Sequence, residues 1–186
     1  MNKKMVTIGL AMLCFSRAVS TGEFQGQVVT EWLQNDKEDR DMRLLEDFKY
    51  IDDNGKVWSV PKGQVVNGAS IPQTFWTFGP PFVGDYRRAS VVHDHYCRTR
   101  TESWEDVHRM FYEAMQADGV PSYKAKVMYA AVYAGGPRWD EDGNDLSSHE
   151  SLLSNVNLVD EILERVEEGE LDLNHAKIDI DKLISK

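Results

Sequence analysis

The stretch that decides the fold is residues 85–119, DYRRASVVHDHYCRTRTESWEDVHRMFYEAMQADG. At 3.6 residues per turn it reads as two helices joined by a turn of about four residues. The first runs from an expected N-cap at Asp85 to about Arg98. Ala89, Val92 and Tyr96 lie on its inward side, with His93 and Cys97 on the adjoining edge. The second opens at Ser103, with Asp106 three residues on as a capping-box-like pair. It carries the stripe Trp104, Val107/His108, Phe111 and Ala114/Met115, and it stops at Gly119. Helices joined this tightly pack their stripes together, so His93 and His108 are expected to meet. Cys97, one turn after His93, shares its face.

Outward from this pair, Pro121 starts a third helix through Val127, Met128, Ala131 and Ala134, which Gly135-Gly136-Pro137 ends. Upstream, residues 22–80 are rich in β-formers and turns. Phe48–Ile51 and Lys56–Val60 flank Asp52-Asp53-Asn54-Gly55, and Asn-Gly between β-formers signals a hairpin. Val28–Trp32 and Gln64–Val66 are further strand candidates. The expected class is therefore α+β: a small N-terminal antiparallel β region, a three-helix bundle and a C-terminal amphipathic helical tail. Leu152, Leu153, Val156, Val159, Ile162, Leu163 and Val166 give that tail its apolar stripe, and a last short helix is expected near 174–184.

The ends of the chain divide it further. Lys3 and Lys4, the apolar run Met5–Phe15 and the small residues Ala18-Val19-Ser20 have the anatomy of a secretory signal peptide. The organisation read is residues 1–20 signal peptide, 21–139 core domain, 140–150 acidic linker and 151–186 helical acidic tail. Secreted or periplasmic location follows, without a stable membrane anchor. The formal charge is −10; removing Lys3, Lys4 and Arg17 leaves 18 basic against 31 acidic residues, or −13. Such a chain repels phosphate backbones, which argues against nucleic acid as a partner. A protein partner or self-association would use the tail, residues 151–186.

The chemistry-bearing residues concentrate at positions 93–108. Neutral imidazoles and a thiolate suit zinc or a similar borderline-soft divalent ion, so His93, Cys97 and His108 are the candidate ligands. The same residues allow a histidine-centred catalytic site: His93 as base, Asp94 as orienter, His108 as acid or second ligand. Asn67, Ser70 and Trp76 would line the cleft. Both functions stand beside a plainer one, in which the two histidines are hydrogen-bonded core residues. Asp94 has its own alternative as a surface ion pair with Arg98, and His95 is expected to be solvated. Ser70 lacks the strand-turn-helix spacing of a nucleophile elbow. Asp140–Asp145 lacks the glycine and glutamate spacing of an EF-hand loop, so a solvated linker is expected there.

Taken in order, Trp58–Gly63, Asn67–Pro72, Phe75-Trp76, Tyr86–Ala89, Val92-His93-Asp94, Phe111 with Ala114-Met115, and Met128-Tyr129 with Val132 resemble a bacterial and phage family. It is known as domain of unknown function 1353, and the likeness covers about residues 40–139. It implies a compact α+β domain with no settled activity. Against the family pattern, Asn67 stands for an expected aspartate, and Val107-His108 stands for an Ala-Asp pair on the second helix. An imidazole thus replaces a carboxylate, which strengthens the ligand cluster. The His-Asp pair is also similar to that of secreted phospholipase A2, whose disulfides and calcium loop have no counterpart here. Two function classes result: a hydrolase with a histidine-centred, metal-assisted site, or a non-catalytic binding protein (an inhibitor, immunity-like or phage-associated factor) acting through its acidic tail.

Overall fold

The computed structural model describes residues 22–34, 41–68, 71, 84–146 and 156–169. The signal-peptide segment, Ser70, Trp76 and the expected helix at 174–184 lie outside these. The fold is mixed α+β, with the main strand region preceding the helices.

Two three-stranded antiparallel sheets form the β region. Strands β1 (Glu23–Gln25), β4 (Phe48–Ile51) and β5 (Val57–Val60) make one, in the order β1-β4-β5. Strands β2 (Thr30–Trp32), β3 (Met42–Leu44) and β6 (Val65–Val66) make the other, in the order β2-β3-β6. Alternation decides which side faces inward. Met42 and Leu44 are buried while Arg43 is exposed, and the β4–β5 register pairs Phe48 with Val60 and Tyr50 with Trp58, all four buried. The expected β4–β5 hairpin is present, and Asp52 organises it. Its Oδ1 accepts from the backbone N–H groups of Asn54 and Lys56, and its Oδ2 from Trp58 Nε1. Gly55 supplies the turn's positive φ, +81°.

Helix α1 (Arg87–Thr99) is buried all round from Ala89 to Cys97, because α2 packs on one side and β4, β5 and β6 on the other. This corrects the expected solvation of His95: it is only 8% exposed, with its ring edge-on to Tyr96. Burial pushes its pKa below the usual histidine value. The helix N-cap is Tyr86, with no side-chain cap, so Asp85 does not take the role expected of it. Helix α2 (Trp104–Ala117) starts as expected, with Ser103 Oγ accepting from Asp106 N–H at 3.2 Å. Helix α3 (Ser122–Gly135) packs against α2 and is buried from Val127 to Gly135. Helix α4 (Val156–Glu167) closes on α3, burying Ile162 and Val166.

Within the stretch expected to be an acidic linker, residues 140–144 form the turn between the paired strands β7 (Arg138–Trp139) and β8 (Asp145–Leu146). Asp140 folds its carboxylate back on its own turn, accepting from Asp142 N–H, Asn144 N–H and Asn144 Nδ2. The hairpin also holds the end of α1. Arg100 is the single non-glycine residue with positive φ (53°) among those described. Its guanidinium donates to the Gly143 carbonyl at 2.6 Å and pairs with Asp145. Those two bonds offset the steric cost of a left-handed arginine.

Candidate functional site

The turn from Arg100 to Ser103 brings α2 back against α1, and the two expected imidazoles meet. His93 Nε2 lies 2.8 Å from His108 Nδ1, with both residues fully buried. Cys97 Sγ is 3.6 Å from His93 Nε2 and 3.8 Å from Nδ1. One donor atom from each of the three side chains falls within 4.8 Å of the others, so the group can hold a metal ion. Among the described residues no carboxylate joins it.

Aromatic rings wall the group. Phe111 lies against His93, ring centroids 4.6 Å apart, and Trp104 meets His108 edge-on at 5.6 Å. Trp139 stands on the far side of His108 at 6.5 Å. The turn at Gly136-Pro137 delivers Trp139 and Arg138 to this spot. Arg138 is 9% exposed, sits over Trp104 at 4.5 Å, and donates to the Tyr133 carbonyl at 2.6 Å. Its Nε has no hydrogen-bond partner, and no described carboxylate pairs with the guanidinium.

In this dry setting the charged forms are disfavoured. Burial pushes the His93 pKa down to about 3. Burial, then His93, then Arg138 hold His108 well below the ordinary histidine value. Burial first, with Asp94 adding to it and Arg100 opposing, lifts the Cys97 thiol well above its usual value. Both imidazoles are therefore neutral at pH 7, the form that ligates metals. His108 Nε2 faces the Gly136–Pro137 backbone. The Pro137 carbonyl there favours a proton on that ring, but in a geometry too poor to count as a hydrogen bond, and Nε2 is otherwise without a partner.

Asp94 does not join the histidines. Its Oδ2 accepts from Asn67 N–H at 2.9 Å and pairs with Arg98 at 3.3 Å, on the β6 side of α1. No hydrogen bond connects it to His93 among the described residues, as the roughly 100° rotation between successive helix positions requires. Its pairing with Arg98 was expected, but the carboxylate is buried rather than superficial (2% exposed). Burial raises its pKa to about 6, against the lowering by Arg98 and the Asn67 N–H. Asn67, expected to line the cleft, thus meets Asp94 through its backbone N–H rather than the histidine group. Arg138 and Trp139 escaped the sequence reading because their approach to His108 is set by a turn at Gly136-Pro137 that looked only like a helix stop.

Two curated relatives are similar to the chain in sequence. The chain is 54% identical over 97 residues to "Uncharacterized protein y4jT" of Sinorhizobium fredii (strain NBRC 101917 / NGR234), covering 52% of this chain and 29% of the relative. It is 37% identical over 147 residues to "Uncharacterized protein y4iH" of the same organism, covering 74% of this chain and 62% of the relative. The chain therefore spans less than two thirds of the length of either curated relative. No solved structure matches it significantly. The family model described as "Protein of unknown function (DUF1353)" matches residues 42–132, so β3 through most of α3, with His93, Cys97 and His108 inside, belong to the DUF1353 family.

Proposed function

We propose that this chain is an exported metal-binding protein in which His93, Cys97 and His108 hold one soft or borderline ion, such as zinc, between α1 and α2. The observation that carries the reading is the mutual approach of three buried donors from two helices, with both histidines neutral at pH 7. The spacing suits an ion. With about 2.05 Å to nitrogen and about 2.3 Å to sulfur, tetrahedral ligands stand about 3.3 Å (N to N) and about 3.6 Å (N to S) apart. The Cys97–His93 edge is already 3.6 Å, and the 2.8 Å between imidazoles opens by about half an ångström on loading. Ligation by His108 Nδ1 also fixes the proton on Nε2, turned toward the Pro137 carbonyl. That is the usual outer arrangement of a metal-bound histidine, and it gives the orphaned nitrogen a purpose. The bound ion is held by two imidazoles and a thiolate, with the thiol proton released to solvent.

Burial supports a held ion over a free general base, because His93 is fully buried and no described carboxylate hydrogen-bonds to it. On that ground we favour the accessory-protein class over the hydrolase class. One observation keeps hydrolysis in view as a second reading. A cleft of about 570 Å³ is lined by Arg100, Glu102, Trp104, Trp139 and Asp140, and both tryptophan rings also touch His108. The centre is thus one aromatic layer from solvent.

The test is metal analysis of the purified chain, with His93→Ala and His108→Ala prepared alongside. About one equivalent of metal in the wild type, lost in both variants, supports the reading. Metal-free protein, with melting temperature unchanged on adding zinc(II) and, under anaerobic conditions, copper(I), overturns it. Hydrolysis of ester or amide substrates by the loaded wild type, lost in His108→Ala, would favour the second reading.

A further inference from the structure

Resting on that metal reading, we propose that the His93–Cys97–His108 centre is selective for a monovalent soft ion, copper(I), over zinc(II), and that the buried guanidinium of Arg138 enforces the choice. The argument is one of charge. Binding replaces the Cys97 thiol proton by the ion, so copper(I) with one thiolate and two neutral imidazoles makes a neutral assembly. Zinc(II) with the same ligands carries a net positive charge. Among the described residues, the carboxylate whose charge reaches the centre, at Cys97, is Asp94. Asp94 is committed to Arg98 and the Asn67 N–H, and no carboxylate enters the donor group.

The fixed charge that acts on His108 has the wrong sign for zinc. Arg138 lies over Trp104, the ring that meets His108, and its field already disfavours a positive charge on that imidazole. With no carboxylate partner among the described residues and a walled, dry surrounding, it is poorly screened. At Cys97 the charge of Asp94, paired with Arg98, acts ahead of Arg100, paired with Asp145, so Arg138 is the one of these charges with no described carboxylate beside it. A second positive charge here is repelled, whereas a neutral copper(I)–thiolate pair is not. Ligand type and number agree: a thiolate selects soft ions, and two histidines with one cysteine in a three-coordinate arrangement form a copper donor set. Zinc in closed sites takes four ligands, and no fourth is supplied by the described residues.

The experiment is anaerobic competition titration of the purified chain, copper(I) against bicinchoninate and zinc(II) against a chromophoric chelator. Wild type, Cys97→Ser, Arg138→Gln and Arg138→Lys are compared. The expected result is one copper(I) per chain, not displaced by an equal concentration of zinc, and lost in Cys97→Ser. Arg138→Gln, which removes the charge, tightens zinc binding about tenfold or more while copper(I) affinity stays within about threefold. Arg138→Lys, which keeps the charge, leaves zinc as weak as in the wild type. Displacement of copper(I) by equimolar zinc overturns the inference while leaving the metal centre standing, even if the Arg138 variants fail to fold. So does equal zinc affinity in wild type and Arg138→Gln. Binding of neither ion overturns the metal reading itself.

Discussion

Asp94→Asn is the most direct probe of how the buried carboxylate is held. In the folded chain its pKa is about 6, against an ordinary 3.8, because burial outweighs the help of Arg98 and the Asn67 N–H. About two units of elevation correspond to about 3 kcal/mol between the protonated and ionised forms. The folded pKa lies above the unfolded one. This group's contribution is therefore fully present below about pH 4 and is lost as pH rises through about 6. Asparagine keeps an acceptor for the Asn67 N–H, never ionises, and gives up an Arg98 pair worth about 0.5 kcal/mol. The buried histidines act in the opposite sense: His93, with a folded pKa of about 3, favours the native state as pH rises past its unfolded value. That background is shared by both proteins and cancels in their difference. Guanidinium denaturation of the metal-free proteins in EDTA, followed by tryptophan fluorescence from pH 4 to pH 8, measures that difference. Relative to wild type, the variant should gain about 2 kcal/mol across this range. A flat difference, or one that favours wild type at high pH, refutes the reasoning and makes Arg98, rather than burial, the dominant influence on Asp94.

Three further outcomes are expected. Phe111→Ala removes a fully buried ring lying 4.6 Å from His93 and should cost about 3–5 kcal/mol in denaturant melts, with loss of metal retention. Tyr96→Phe deletes the hydroxyl that accepts from Ser59 N–H at 3.0 Å, the bond that ties α1 to β5. A loss of about 1–3 kcal/mol at nearly constant volume, read by urea unfolding, would match an abandoned backbone donor, and no change would mean that water replaces the hydroxyl. Gly136→Ala drives a methyl group into the Val132 carbonyl and to 3.2 Å from His108 Nε2. It should destabilise the chain by about 1–3 kcal/mol and weaken metal binding more than an alanine elsewhere in the turn, as calorimetry and metal content would show.

Elements with a local signature were legible in the sequence. The β4–β5 hairpin announced itself through Asn54-Gly55, α2 through Ser103 and its stripe, and α3 through Pro121 and the glycines at its end. The approach of His93, Cys97 and His108 was readable because helical spacing and a short connection leave few ways to arrange them. What escaped depends on distant partners. Strands β1, β3, β7 and β8 have two or three residues each, too few to establish alternation, and exist because other strands pair with them. His95 looked solvent-facing from the pattern of α1 alone, yet packing around that helix buries it. The hydrogen bond from Asn67 to Asp94 spans 27 residues, beyond any periodicity.

The turn at Gly136-Pro137 has a practical consequence for anyone excising this domain. The family match ends at residue 132, which invites a cut there. Such a fragment would retain His93, Cys97 and His108 but forfeit Trp139 from their outer wall and the cation at position 138, together with Gly143 and Asp145, which clasp Arg100. A transplantable version must therefore run through Leu146.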